Sequence, residues 1–302
     1  MTLTLQPTET HAALRVDSWK LLTGFGLPGL LNMAIDEALL ESVIAGGVPV
    51  VRFYTWQPAT LSLGTNQPVG EIDRVACESR GFGLVRRLTG GRAVLHQHEL
   101  TYSVIAREND PRVSGGVVES YRKISAALVD GLEALGASVS LAPPNKALLR
   151  AMSARRAVML DDADGAMEDS GAVCFDAASA YELTAGGKKL VGSAQARRGG
   201  ALLQHGSILL DIDWDSWVSV FAYASEVGKR RAYTKLPERM TSLRHELGRT
   251  VTREEALSAL IPAFATRLHI SLDPAALDAS EEATALKLAT EKYGSEEWTG
   301  RK

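Results

Sequence analysis

Apolar residues recur at helical spacing over 30–43, where Leu30, Met33, Ala34, Ala38 and Leu39 are interleaved with Asn32, Asp36, Glu37 and Glu41. This pattern predicts a helix packed on a sheet. Asn32 and Asp36, four residues apart, share one face of it and either orient a site or meet solvent. β-Rich runs follow at 50–56 and 60–63, separated by Gln57-Pro58-Ala59 and closed by Gly64-Thr65-Asn66-Gln67-Pro68, and they read as two strands with turns. A short helix is predicted over 69–80. Leu84 and Val85 then lead through Gly90-Gly91 into alternating residues and a run at 100–105, which predicts a strand-turn-strand hairpin about a glycine hinge. Tyr121, Ile124, Leu128, Leu132 and Leu135 mark an amphipathic helix over 119–135 that stops at Gly136. Strands are expected at 139–141, 187–194 and 201–210, the last two joined by Arg197-Arg198-Gly199-Gly200. Helices are expected at 177–183, 214–224, 252–268 and 281–292, with Thr252 and Glu255 forming a capping box. Hairpins whose helices do not alternate with strands argue for an α+β fold.

Composition narrows the function classes. The chain has 302 residues, 45% hydrophobic and 23% charged, with a net charge of −3, which disfavours a general binder of nucleic acid or membrane surfaces. No apolar run approaches the roughly 18 residues of a membrane span, and residues 2–11 lack a signal-peptide pattern. Only Cys77 and Cys174 are present, so a reducing, cytoplasmic setting is expected. The chain reads as one domain over 16–302, with residues 1–15 frayed and a mobile loop at 145–171 beside the site. Cys77 has no basic neighbour or glycine turn and reads as a small core residue. His96 and His98 share a strand face by period two, yet no third ligand accompanies them, and no metal is expected. The basic run Lys229, Arg230, Arg231, Lys235 and Arg239 is either a solvated surface or a docking patch for an acidic carrier protein.

Two stretches carry candidate chemistry. The first is Arg86-Arg87-Leu88-Thr89-Gly90-Gly91-Arg92-Ala93-Val94-Leu95-His96; the second starts at Cys174-Phe175-Asp176-Ala177 and continues through Lys189-Leu190-Val191-Gly192-Ser193-Ala194 to Gln204-His205-Gly206-Ser207. Together they resemble the biotin/lipoate protein ligase superfamily, whose lipoyl branch carries an Arg-Arg-x-Ser/Thr-Gly-Gly-x-Ala-Val-x-His block and a later Lys-hydrophobic-x-Gly-Ser-Ala block. The resemblance also takes in Asn32-Met33-Ala34-Ile35-Asp36, Gly64-Thr65-Asn66-Gln67 and the ending Lys292-Tyr293-Gly294-Ser295-Glu296-Glu297-Trp298, and so spans about residues 16–302. It implies a central mixed, largely antiparallel sheet flanked by helices. The Cys-Phe-Asp-Ala setting is similar to the cysteine-dependent octanoyltransferases, which move octanoyl from acyl carrier protein to a lysine of a lipoyl-domain protein such as the glycine cleavage H protein. The resemblance then implies Cys174 as nucleophile, Lys189 as the residue that holds the carbonyl, and Arg87, Gly90, Gly91, His96, Gly192, Ser193 and His205 around the substrate, with no cofactor. A thiol near a helix start and a lysine favours its thiolate. Three alternatives stay open: an ATP- and magnesium-dependent lipoate ligase, an amidotransferase between lipoyl-domain proteins, and a non-catalytic lipoyl-domain binder. Arg92, where ligases have a third glycine, counts against the first.

Overall fold

The computed structural model describes residues 17–142 and 182–301. The expectations for residues 1–15, for the 145–171 loop, for Cys174 and for most of a 177–183 helix lie outside the described residues.

Eleven strands are described: β1 (Asp17–Leu27), β2 (Val50–Trp56), β3 (Thr60–Leu63), β4 (Gly83–Arg86), β5 (Val94–His96), β6 (Glu99–Arg107), β7 (Val139–Leu141), β8 (Leu183–Ala185), β9 (Lys188–Arg198), β10 (Ala201–Leu209) and β11 (Ile270–Pro274). Eight form one sheet in the order β11-β1-β2-β6-β10-β9-β8-β7. Its β11-β1-β2 edge is parallel and every later pairing is antiparallel. The mixed, largely antiparallel sheet of an α+β fold is thus present. The tight link between β9 and β10 uses Gly199 and Gly200, both at positive φ (58° and 74°), as a two-residue hairpin turn requires.

The predicted hairpin across 84–105 does not form. β4 runs parallel to β3, β5 runs antiparallel to it, and the three make a separate small sheet in the order β4-β3-β5. β6 belongs to the large sheet instead, so the Gly90-Gly91 segment is a crossover within the small sheet. The helices are α1 (Gly29–Ile44), α2 (Arg74–Ser79), α3 (Val117–Ala134), α4 (Trp214–Ser219), α5 (Glu226–Arg239), α6 (Leu243–Leu247), α7 (Arg253–Leu268), α8 (Ala279–Leu288) and α9 (Glu296–Thr299). The 69–80 helix divides, because Asp73 leaves helical geometry to cap α2 by accepting from the Ala76 amide at 2.8 Å. Leu183 opens a strand, so no helix reaches it, and the 214–224 helix ends at Ser219. Over 281–292 the α-helix gives way at Ala289 to a π-turn running to Tyr293. Only half of the Thr252 capping box forms: the hydroxyl accepts from the Glu255 amide at 3.1 Å, but the Glu255 carboxylate pairs with Arg249 at 2.6 Å.

Each face of the large sheet is covered. Phe53, Tyr102, Val104 and Leu202 pack with α3 and α7 on one side; Val50, Ile105 and Leu203 pack with α1 on the other, and α8 closes over α1. Enclosure explains why α1 buries both its apolar residues and Asn32, Asp36 and Glu37. Glu37 is satisfied by Lys292 at 2.7 Å, Tyr293 at 2.6 Å and Arg198 at 2.9 Å, which ties the C-terminal helices to α1. Helices α3 and α7 meet at Gly131, where an added Cβ would lie 2.7 Å from Leu260 Cδ2 and 3.0 Å from its Cα. The Gly131→Ala variant should therefore lose about 1–3 kcal/mol of stability through overpacking, although alanine is the better helix former. Urea denaturation checks the sign: a gain in stability would mean that the two helices separate freely.

Candidate active site

Cross-strand pairing brings one set of polar residues to one face of the large sheet. Arg52 pairs with Ser103 and Tyr54 with Thr101 between β2 and β6; Ser103 pairs with His205 and Thr101 with Ser207 between β6 and β10; Ala194 and Gly192 of β9 lie opposite His205 and Ser207. Paired positions share a face. The small sheet adds Ser62 of β3 and His96 of β5. Between the two sheets is a narrow cleft of about 30 Å³, with Met33, Trp56, Val94 and Ala194 among its apolar lining.

Two histidines in this cleft are held alike. His205 directs Nδ1 to the Asp36 carboxylate at 3.0 Å and Nε2 to the Thr89 hydroxyl at 2.7 Å. His96 directs Nδ1 toward Glu99 at 3.6 Å, an ion-pair distance too long for a hydrogen bond, and Nε2 to the Ser62 hydroxyl at 2.9 Å. Arg87 stands behind both hydroxyls: Nε donates to Thr89 Oγ1 at 3.2 Å and Nη1 to Ser62 Oγ at 3.3 Å and to its carbonyl at 2.9 Å. A hydroxyl that accepts from a guanidinium has its own proton left for the imidazole. Each ring therefore accepts at Nε2 and carries its proton on Nδ1, facing a carboxylate. The His96 ring also stacks on Trp56, with centroids 3.9 Å apart.

Burial and pairing set the charges. Burial alone would raise the Asp36 carboxyl, but the Arg52 guanidinium at 2.7 Å, with hydrogen bonds from His205 and Tyr54, outweighs it and holds Asp36 below the ordinary carboxylate range. Burial, then the Asp36 charge, pushes the Tyr54 hydroxyl well up. Burial lowers His96 despite the neighbouring Glu99, and Arg87 and His205 add to the effect. Burial also lifts the Cys77 thiol to about 11, which leaves that residue inert as expected of a core thiol.

The predicted site residues separate into three groups. Arg87, His96, Gly192, Ser193 and His205 line the cleft, although the Ser193 hydroxyl points to the opposite face and accepts from Tyr102 Oη at 2.8 Å. Gly90 and Gly91 lie outside its lining; Arg87 Nη2 grips their loop through the carbonyls of Gly90 at 2.7 Å and Arg92 at 2.8 Å. Gly91 has φ 91° and its carbonyl abuts Gly64 too closely for any Cβ there. Lys189, on the strand that carries Gly192, is 1% exposed and bonds Glu182 at 2.5 Å. Strand β5 ends at His96, so His98 does not share its face and is exposed. Arg92 turns away to Glu71 at 2.9 Å. Arg86, also fully buried, donates instead to carbonyls of Gly64, Gln67, Thr299 and Arg301.

Sequence reasoning passed over Arg52, Glu99, Thr89, Ser62 and Glu182. A signal existed for Arg52: a lone cation among Val50, Val51 and Phe53 demands a buried anion, and Asp36 sits on the neighbouring helix.

Residues 28–265 match the lipoyl protein ligase A/B catalytic domain family. The octanoyltransferase LipM of Geobacillus kaustophilus is 43% identical over 286 residues, covering 93% of this chain and 97% of the relative. That of Bacillus subtilis is 38% identical over 290 residues, covering 94% and 99%. Among solved structures, the bipartite lipoate protein ligase of Thermoplasma acidophilum superposes with a TM-score of 0.75 at 26% identity, over 95% of this chain and 98% of that one. A lipoate-protein ligase A bound with ATP reaches 0.71 at 27% identity, over 94% and 98%.

Asp36 binds a proton less readily in the folded chain than in the unfolded one. Its stabilisation is accordingly present above the unfolded carboxylate value near 4 and lost as pH falls through the lower folded value. Replacing it by asparagine leaves Arg52 buried without its anion, and Asp36→Asn should cost about 3–5 kcal/mol at pH 7 in urea denaturation. A variant as stable as the parent at pH 7 would show that Arg52 is compensated elsewhere.

Proposed function

The chain belongs to the lipoyl protein ligase A/B catalytic domain family, and from this we infer that it is an octanoyltransferase of protein lipoylation that binds the octanoyl chain in the cleft between the two sheets. The observation that carries the reading is whole-length identity of 38–43% to octanoyltransferases, against 26–27% to the lipoate ligases. An acyltransferase of this kind works in a single catalytic domain, in a reducing cytoplasm where a free thiol persists. Among the described residues no helix is long and apolar enough to cross a membrane.

In the proposed cycle the Cys174 thiolate attacks the thioester carbonyl of octanoyl-acyl carrier protein. A C–S bond to Cys174 forms as the bond to the phosphopantetheine sulfur breaks, and that sulfur leaves as a thiol. The lysine amine of a lipoyl-domain protein, the glycine cleavage H protein among them, then attacks the enzyme thioester; an amide forms, the amine proton is released and the cysteine is regenerated. Lys189 is the cation assigned to the carbonyl oxygen. Its buried pair with Glu182 fixes the ammonium at one point instead of leaving it to search for a partner, which suits preorganised charge stabilisation. The activation of Cys174 is assigned to the cation of Lys189. His205, His96 and Arg87 shape the far wall. Gly192 lets β9 border the chain without a side chain, while Gly90 and Gly91 act through the loop that Arg87 holds.

The test is octanoyl-acyl carrier protein, without ATP or magnesium, with intact masses of enzyme and acceptor. A thioester should accumulate on Cys174 when acceptor is withheld. Cys174→Ala should abolish adduct and transfer, Cys77→Ala should retain both, and Lys189→Ala should slow acylation about a hundredfold or more. An adduct on Cys77, or strict dependence on ATP and free octanoate, would move the chain to another mechanism.

The donor also needs a surface. Helix α5 exposes Arg230 and Arg231, and an acidic carrier is steered by such charge. Reversing both to glutamate should raise the donor KM, with the effect shrinking at high salt. An unchanged KM would return α5 to the status of plain solvated surface.

A further inference from the structure

We propose that the hydroxyls of Ser62 and Ser207 act as specificity-determining plugs: by engaging His96 and Glu99, they make a wall of charged and polar residues present no free donor to the acyl chain, and so select a saturated chain over a hydroxylated one. This rests on the cleft being the octanoyl site.

The wall is unusually rich in hydrogen-bonding groups for an apolar ligand, since Tyr54, Ser62, Arg87, His96, His205 and Ser207 all line it. Their protons are nevertheless directed elsewhere. Tyr54 Oη donates to Asp36 at 2.8 Å and Ser207 Oγ to Glu99 at 2.8 Å. Ser62 donates to His96 Nε2, the His205 Nδ1 proton bonds Asp36, and that of His96 is directed toward Glu99 at 3.6 Å without a hydrogen bond. A guanidinium has five N–H donors, and Arg87 spends its set on Thr89, on Ser62 twice, and on the carbonyls of Gly90 and Arg92. Thr101, also on the wall, donates to Glu99 at 2.7 Å and accepts from Trp56 Nε1 at 2.8 Å. Backbone groups of β9 and β10 along the cleft are bound in the antiparallel ladder.

Such a surface offers methylene groups van der Waals contact with no polar group left to desolvate. A ligand hydroxyl, by contrast, would surrender its water and find no donor in return. Ser62 and Ser207 differ from the other members because they lie at the cleft surface directly over a group that would otherwise be open: the Nε2 of His96 and an oxygen of Glu99. Removing either hydroxyl uncovers a buried acceptor beside a methyl-sized gap, which a ligand hydroxyl can fill and donate to.

The experiment competes octanoyl-carrier protein against 6-hydroxyoctanoyl- and 8-hydroxyoctanoyl-carrier protein on the full-length enzyme, and reads the ratio of kcat/KM values from the masses of the modified acceptor. The parent should prefer octanoyl by about a hundredfold, the usual limit for rejecting an added hydroxyl without a dedicated clash. Ser62→Ala and Ser207→Ala should each reduce that ratio about tenfold for at least one hydroxylated chain, and the exposed His98→Ala should keep the parent ratio. Equal use of the chains by the parent, or an unchanged ratio in both serine variants, overturns the proposal while leaving octanoyl transfer intact. Absence of octanoyl transfer by the parent would instead overturn the assignment of the cleft. Ser207 lies on β10 and Ser62 on the small sheet, so misfolding of one variant leaves the other to decide.

Discussion

The buried contact between Asp36 and Arg52, at 2.7 Å with both side chains at most 3% exposed, is the constraint on which the rest of the site depends. Two opposite charges about 4 Å apart gain roughly 4 kcal/mol at an effective dielectric near 20, while desolvating each ion costs several. The pair alone is therefore no large source of stability. It is sustained by its other partners: Asn32 accepts from Arg52 at 2.6 Å, and Tyr54 and Ser103 donate to Asp36. These contacts fix α1 against β2 and β6 in one register, and Asp36 then has an oxygen aimed at His205. The position of the histidine follows from a helix-to-sheet packing contact.

The adjacent arginines of the first motif show how a strand divides labour. Arg86 and Arg87 project in different directions, and each meets a ring of carbonyls, which a planar five-donor group satisfies better than lysine could. Arg86 takes carbonyls from the Gly64–Gln67 turn and the last residues of the chain; Trp298 returns a bond from its indole nitrogen to the Arg86 carbonyl at 2.8 Å. Arg87 takes the Gly90 and Arg92 carbonyls and the two hydroxyls behind the histidines. One arginine locks the outside of the small sheet and its neighbour orders the inside. The C-terminal segment and the cleft are consequently coupled through a single peptide unit.

Much of this was legible in the sequence, and the failures share a cause. Helical spacing identified α1, α3 and α7, and alternation identified β2, β3, β6 and β10 close to their observed bounds, because those signals are local. Pairing is not local. The segment from Leu84 through Gly90-Gly91 into 100–105 has the sequence of a hairpin, yet the strands on either side of that glycine turn, β4 and β5, flank β3, which satisfies both with backbone bonds across a seven-residue link held by Arg87. Strands β1 and β11 were missed for the same reason: their parallel pairing leaves no hairpin signature. Candidate site residues were recognisable where a motif named them, as with Arg87, His96 and His205. Of their partners, Asp36 was read from its place on the α1 face as a residue that either orients a site or meets solvent, and it does orient His205; Glu99, Thr89 and Ser62 are scattered, and each residue type alone is commonplace.

That scattering bears on how the cleft tolerates so many polar groups. Asp36 comes from a helix, Glu99 and Thr101 from the large sheet, Ser62 from the small one and Thr89 from the crossover. Each histidine is clamped by groups from different elements, so its protons are assigned only when the two sheets are in register. A partly satisfied network would be worse than an apolar wall, because every orphaned donor would retain its desolvation cost. The bonds that do form, with His96 Nδ1 left facing Glu99 at 3.6 Å, convert most of that liability into a rigid, water-poor surface. An apolar acyl chain and a buried array of arginine, histidine and carboxylate are thus compatible in one cleft, with all but one of the array's protons bonded before the ligand arrives.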